Sequence, residues 1–173
     1  MKPTLLYIHG LGSDKNSRKF MNLKNYFHDR FNYDFLEWKN NSNIKLLIQE
    51  KFDKYQKIEN LIIIGDSTGA NFAYQLRKLR NCNSDKLILT SPLLDIEKRI
   101  ASFDFPKTII PYLEKITSPK NALIIATKKD EILDQSWIFE NENFNLKEVK
   151  DSHRLENFQN YISFIETYLS QKE

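Results

Sequence analysis

All four glycines of this 173-residue chain stand inside two short motifs, Gly10 and Gly12 in Ile8-His9-Gly10-Leu11-Gly12 and Gly65 and Gly69 in Gly65-Asp66-Ser67-Thr68-Gly69. At the ordinary usage of about 7%, a chain of this length would hold roughly 12. Glycines kept at so few places mark backbone positions that do not tolerate a Cβ. The second motif directly follows the apolar run Leu61-Ile62-Ile63-Ile64 and directly precedes a segment of helical period. A Gly-x-Ser-x-Gly block between a strand and a helix predicts a sharp turn that presents a serine hydroxyl, a nucleophile elbow.

Short apolar runs alternate with helical patterns along the whole chain, which predicts an α/β fold with a mostly parallel sheet flanked by helices. Six strands are expected, at residues 4–9, 33–38, 61–65, 86–90, 122–127 and 145–149. Several are unbroken Leu/Ile runs, as befits strands covered on both faces. Four helical stripes read as core packing. They are Phe20, Leu23, Phe27 and Phe31; Ile44, Leu47, Ile48 and Tyr55; Phe72, Ala73, Leu76 and Leu79; and Leu155, Phe158, Ile162, Ile165 and Leu169. The stretch 92–119 holds four of the five prolines and interrupts this rhythm. It reads either as a small cap bearing Phe103, Phe105 and Tyr112 above the strand ends or as an irregular connection that buries them.

Residues 1–173 suit one domain. The net charge of +3 is spread without a long run of like charges and without a nucleic-acid-binding motif, so no nucleic-acid partner is expected. Cys82 is alone, without disulfide partner or metal-ligand spacing, and reads as a half-buried small residue. The first apolar run, Leu5-Leu6-Tyr7-Ile8, is too short for a signal peptide or a membrane span, and the expected location is cytoplasmic.

A serine hydroxyl needs a base to take its proton and a carboxylate to orient that base. In the α/β-hydrolase arrangement these follow in the order nucleophile, acid, histidine. Of the three histidines, His9 belongs to the first motif and His28 sits in a charged helical segment facing solvent, which leaves His153 on the loop after the sixth strand. Asp130, directly after the fifth strand, is the favoured acid. Asp134, on a short following helix, and Asp95, after the fourth strand, are the alternatives, and a salt bridge with Lys128 or Lys129 would give Asp130 an ordinary surface role. The backbone N–H groups of Leu11 and Thr68 are expected to form the oxyanion hole. Gly10 and Gly12 would let the first loop turn toward it, Gly65 and Gly69 would relieve crowding at the elbow, and His9 would anchor the loop by hydrogen bonds. Asp66 either points into the site, where it would act on His153, or to solvent, which is the favoured reading. No metal or organic cofactor is implied.

The first motif, the elbow, Asp130-Glu131-Ile132-Leu133-Asp134 and His153-Arg154-Leu155-Glu156-Asn157-Phe158 together resemble the small bacterial YqiA-like esterases, in order and spacing over almost the whole chain. The resemblance implies a compact α/β-hydrolase with little lid, activity on short acyl esters, and a triad of Ser67, Asp130 and His153. Asp66, Thr68 and Ala70 depart from the Ser, Leu and Gly common at the elbow of such esterases. The chain is also similar, more weakly in its first motif, to small serine hydrolases like retinoblastoma-binding protein nine. The Gly-Asp-Ser-Leu lipases share three letters of the elbow, but their block opens the chain. The expected activity is cleavage of a carboxylic ester or thioester, with a small-molecule acyl compound as the partner and no expectation for oligomeric state. A peptidase or acyltransferase using the same residues, and a non-catalytic binding protein of the same shape, are the rival readings.

Overall fold

The structure is a computed structural model that describes residues 2–171. Six strands, β1 (Thr4–Ile8), β2 (Asn32–Leu36), β3 (Ile62–Asp66), β4 (Lys86–Thr90), β5 (Ala122–Ala126) and β6 (Phe144–Glu148), form one sheet in the order β2-β1-β3-β4-β5-β6. Every neighbouring pair is parallel. Residues alternate across the sheet. Leu5, Tyr7, Ile62 and Ile64 pack with Phe20, Leu23 and Phe27 of helix α1 (Arg18–Phe27), while Leu6, Ile8 and Ile63 face the opposite core. That second core takes Ile44 and Ile48 of α2 (Ile44–Tyr55) and Phe72, Ala73 and Leu76 of α3 (Thr68–Arg80). Ile162 and Ile165 of α4 (Ile162–Ser170) complete the α1 side. Among the described residues, no helix is long and apolar enough to cross a membrane.

The chain leaves β1 for one side of the sheet and enters β3 on the other, so the strand order reverses between β1 and β3. Ligands in open parallel sheets bind at such a reversal, beyond the carboxyl ends of the strands. The two glycine motifs end these two strands. A Cβ on Gly69 would lie 2.3 Å from the carbonyl oxygens of Ile8 and His9, and one on Gly65 would lie 2.5 Å from Ala70 Cα. Both glycines therefore let the start of α3 lie directly against β1 and β3.

Several sequence expectations change in the structure. The second strand ends at Leu36 because the Trp38 N–H donates to His9 Nε2 (3.0 Å) and its indole N–H to the His9 carbonyl (2.8 Å), which takes the chain off the ladder. Leu79 is 45% exposed, since Arg80 takes the inward place on α3 and pairs with Asp85 at 2.6 Å, both side chains buried. The last helix begins only at Ile162; Leu155 has a φ of 48° and Phe158 opens a 3₁₀ turn, although both are buried. The cause is Asp151, whose carboxylate accepts the backbone N–H groups of Ser152, Glu156 and Asn157 and the Tyr161 hydroxyl, bending residues 151–161 around itself.

The stretch 92–119 combines both readings made of it. Ile109 and Ile116 are buried and Tyr112 packs on the core, whereas Phe103 and Phe105 line a cavity. It contains two 3₁₀ turns, Ile96–Lys98 and Ile110–Tyr112. The Asn71 side chain, buried on α3, donates to the Leu93 and Glu114 carbonyls and accepts from the Glu114 N–H and the Gln75 amide.

Gly69→Ala forces backbone apart where α3 meets β1, and a loss of about 1–3 kcal/mol is expected in a denaturant titration, as for other overpacked sites. Burial works against ionisation of Asp151, but its backbone and hydroxyl donors outweigh that and hold the carboxyl at about 2. A carboxyl lowered in the folded state contributes stability above its unfolded value, and that contribution is lost as pH falls through about 2. Asp151→Asn should cost on the order of 1 kcal/mol at neutral pH, discounted for solvent screening. The difference in melting temperature from wild type should narrow as the pH is lowered from 5 toward about 3.

Candidate active site

Ser67 directly follows β3 and caps α3 with a φ of 50° and a ψ of −116°, a left-handed backbone that a side chain rarely adopts. Its backbone is fixed at both ends. The Ser67 N–H donates to the Thr90 carbonyl at 2.9 Å, and its carbonyl accepts from Ala70 and from Leu93, each at 3.0 Å. Gly10 closes the turn from the other side: a Cβ there would lie 3.2 Å from the Ser67 Cβ. Gly10 thus serves by proximity, while Gly12, at a φ of 73°, supplies the bend in the first loop.

The structure brings Ser67, His153 and Asp130 together. The Ser67 hydroxyl lies 2.9 Å from His153 Nε2, and His153 Nδ1 lies 2.7 Å from Asp130 Oδ2. An ionised carboxylate only accepts, so Nδ1 carries the proton and Nε2 is left to accept from the serine. The other oxygen of Asp130 accepts the N–H groups of Ile132 (2.8 Å) and Leu133 (2.9 Å), which fixes the carboxylate plane, and the Asp130 side chain is fully buried. Lys128 does not pair with it; its ammonium donates instead to the carbonyls of Gln135, Ser136 and Ile138.

Neither alternative acid approaches the histidine. Asp95 caps a 3₁₀ turn and pairs with Lys115 at 3.0 Å. Asp134 lies in a loop rather than on a helix, where its carboxylate accepts from the N–H and hydroxyl of Ser136. His28 is exposed.

Asp66 corrects the expectation of a solvent-facing carboxylate. Its Oδ1 accepts from the buried Lys19 ammonium at 2.5 Å and from the Thr90 hydroxyl at 2.8 Å. The Lys19 ammonium also lies 5.9 Å from the centre of the Phe158 ring. Nothing in the sequence marked Lys19, because a lysine beside a helical stripe ordinarily reads as solvated. Glu131 was also missed; its carboxylate accepts the His153 backbone N–H at 3.0 Å.

His9 lies between the rings of Phe35 and Trp38, with centroids 5.3 Å from each. Its Nε2 accepts from Trp38, so its Nδ1 donates to the Gly10 carbonyl at 2.7 Å. Burial pushes this imidazole below its usual range and keeps it neutral. Leu11 and Thr68 line one cavity of about 460 Å³ with Ser67 and His153. Thr68 is the first residue of α3, where N–H groups have no partner within the helix and the dipole favours negative charge. Among the described residues, no group of three or more His, Cys, Asp or Glu side chains is placed to hold a metal ion.

No protein-family model matches the chain, and no curated protein matches it. Solved structures do. Est1E from Butyrivibrio proteoclasticus superposes with a TM-score of 0.71 at 12% identity, over 98% of this chain and 89% of that one. Mouse alpha/beta hydrolase domain-containing protein 10 gives 0.70 at 12% identity, over 96% and 89%. The monoacylglycerol lipase of Paleococcus ferrophilus gives 0.68 at 12% identity, over 96% and 93%. The chain therefore has the α/β-hydrolase fold.

Proposed function

We propose that this protein is a serine hydrolase that cleaves a short-chain carboxylic ester or thioester through an acyl-enzyme on Ser67. The observation that carries this reading is the continuous hydrogen-bonded line from Ser67 through His153 to Asp130 at the end of the strand reversal. The fold shared with an esterase and a lipase is in keeping with it, as is the motif resemblance to YqiA-like esterases.

Ser67 Oγ attacks the carbonyl carbon as its proton passes to His153 Nε2. The negative oxygen that develops is met by the backbone N–H groups of Leu11 and Thr68, which are held rigidly by the first loop and the start of α3. When the bond to the leaving group breaks, His153 returns the proton to the departing oxygen or sulfur. A water molecule then gives its proton to His153 and attacks the acyl carbon; collapse releases the carboxylic acid and returns the proton to Ser67. Asp130 holds the imidazole in the required tautomer and stabilises its charged form. His9, Gly10, Gly12, Gly65 and Gly69 keep the two loops in place without touching the reacting atoms.

Wild-type protein should gain one adduct from a fluorophosphonate probe by intact mass, Ser67→Ala none, and His153→Ala an adduct only slowly. On an ester substrate, either substitution should lower kcat by a factor on the order of 10⁶. A folded wild type that takes no adduct would point to the non-catalytic binding reading, and turnover confined to peptides or to acyl acceptors other than water would point to a peptidase or acyltransferase. With a cavity of about 460 Å³, rates along a series of p-nitrophenyl esters should peak near butyrate and fall toward laurate.

A further inference from the structure

Cations outnumber carboxylates among the side chains that line the cavity. Four cationic side chains line it, Arg18, Lys19, Arg99 and Arg154, together with the carboxylates of Asp66 and Glu131. Lys19 is committed to Asp66. Arg18 is committed to Glu156 at 3.3 Å and to the carbonyls of Arg154, Leu155 and Glu156. Two guanidinium groups, Arg99 and Arg154, have no carboxylate partner among the described residues; the nearest acids left are Glu131, which accepts from the His153 N–H, and Asp130, which is engaged with the His153 ring. The cavity lining therefore presents two cations without a carboxylate partner beside an apolar wall of Leu93, Phe103, Phe105 and Leu133.

Arg99 is built into that wall. Its backbone bridges to Leu133, while the Ile100 N–H donates to Ile132 and the Asp134 N–H to Lys98, which ties this segment to the loop that carries Asp130. Its half-buried guanidinium donates to the Ala101 and Phe103 carbonyls and lies 4.5 Å from the Phe103 ring centre and 5.8 Å from that of Phe105. A guanidinium has five donors in a planar fork, and two carbonyls leave the rest open for a carboxylate. Holding such a cation in place beforehand lowers the ordering cost of pairing with it.

We propose that Arg99 makes the cavity selective for acyl groups that end in a carboxylate, so that the substrate is a monoester or monothioester of a short dicarboxylic acid. This rests on the hydrolase reading above. Because the leaving group must lie at His153, the acyl chain runs away from it along the wall of Leu93, Phe103 and Phe105, and its terminal carboxylate pairs with Arg99. Arg154, exposed beside His153, adds to the field at the mouth.

The test compares kcat/KM for mono-p-nitrophenyl glutarate with that for p-nitrophenyl butyrate. Wild type should favour the anionic ester by roughly 10-fold or more at low salt, the worth of a charged hydrogen-bonded pair, and the ratio should shrink as salt is added. Arg99→Gln should bring the ratio to about one, Arg154→Gln should lower it less, and Lys120→Gln, which removes the same charge elsewhere on the surface, should leave it unchanged. If Arg99→Gln fails to fold, the salt dependence and Arg154→Gln still decide. Binding is read separately by titrating Ser67→Ala protein with monomethyl glutarate and methyl butyrate, the former being expected to bind at least 10-fold more tightly. Tighter binding without turnover by wild type would defeat the hydrolase reading and leave this selectivity standing. Turnover with a wild-type ratio at or below one, or with a ratio indifferent to Arg99→Gln, would overturn the selectivity alone.

Discussion

The site depends on a single residue of left-handed backbone. A non-glycine residue at a φ of 50° stores about 1–3 kcal/mol of strain and persists only where its surroundings leave no alternative. Here hydrogen bonds to Thr90, Ala70 and Leu93 hold both peptide groups of Ser67, and Gly10 of the first loop lies close to its Cβ. The glycine distribution follows from this. Once the chain turns so sharply between β3 and α3, the helix start comes within contact of β1, and no room is left for a Cβ at Gly65 or Gly69.

Beside the elbow, a largely buried ion pair stands in the cavity wall. Lys19 and Asp66 lose hydration on burial, a cost that their attraction offsets only with good geometry and further hydrogen bonds. The Thr90 hydroxyl provides one such bond. The pair spans α1 and the last residue of β3, so the helix on one face of the sheet is tied to the residue that precedes the nucleophile. Apolar contacts slide more readily than a charged pair of fixed length, and this link gives the turn a defined position relative to α1.

Periodicity and glycine placement made the sheet and the four helices legible in the sequence, and the order of nucleophile, acid and histidine along the chain led to Ser67, His153 and three candidate acids, of which Asp130 was favoured. What escaped was decided by side chains reaching across space. Asp151 reads as one more loop acid, yet it bends the chain so that Leu155 and Phe158 keep their burial while losing their helix. Leu79 fits the apolar stripe of α3, but Arg80 takes the inward place because Asp85 waits beyond the helix end. Lys19, Asp66 and Arg99 carry charges that a one-dimensional reading assigns to solvent by default. Only the distances show that the first two neutralise each other and that the third has no carboxylate partner among the described residues.

Asn71 bears on how molecules reach Ser67. Its amide makes four hydrogen bonds inside the core, three of them to the ends of the stretch that walls the cavity. Swinging that stretch away would strand a buried amide and the backbone groups it serves, at about 1–3 kcal/mol for each group left unpaired. The two ends of the wall are thus fixed to the frame. On the proposed hydrolase reading, a substrate would then reach Ser67 without the wall moving as a unit.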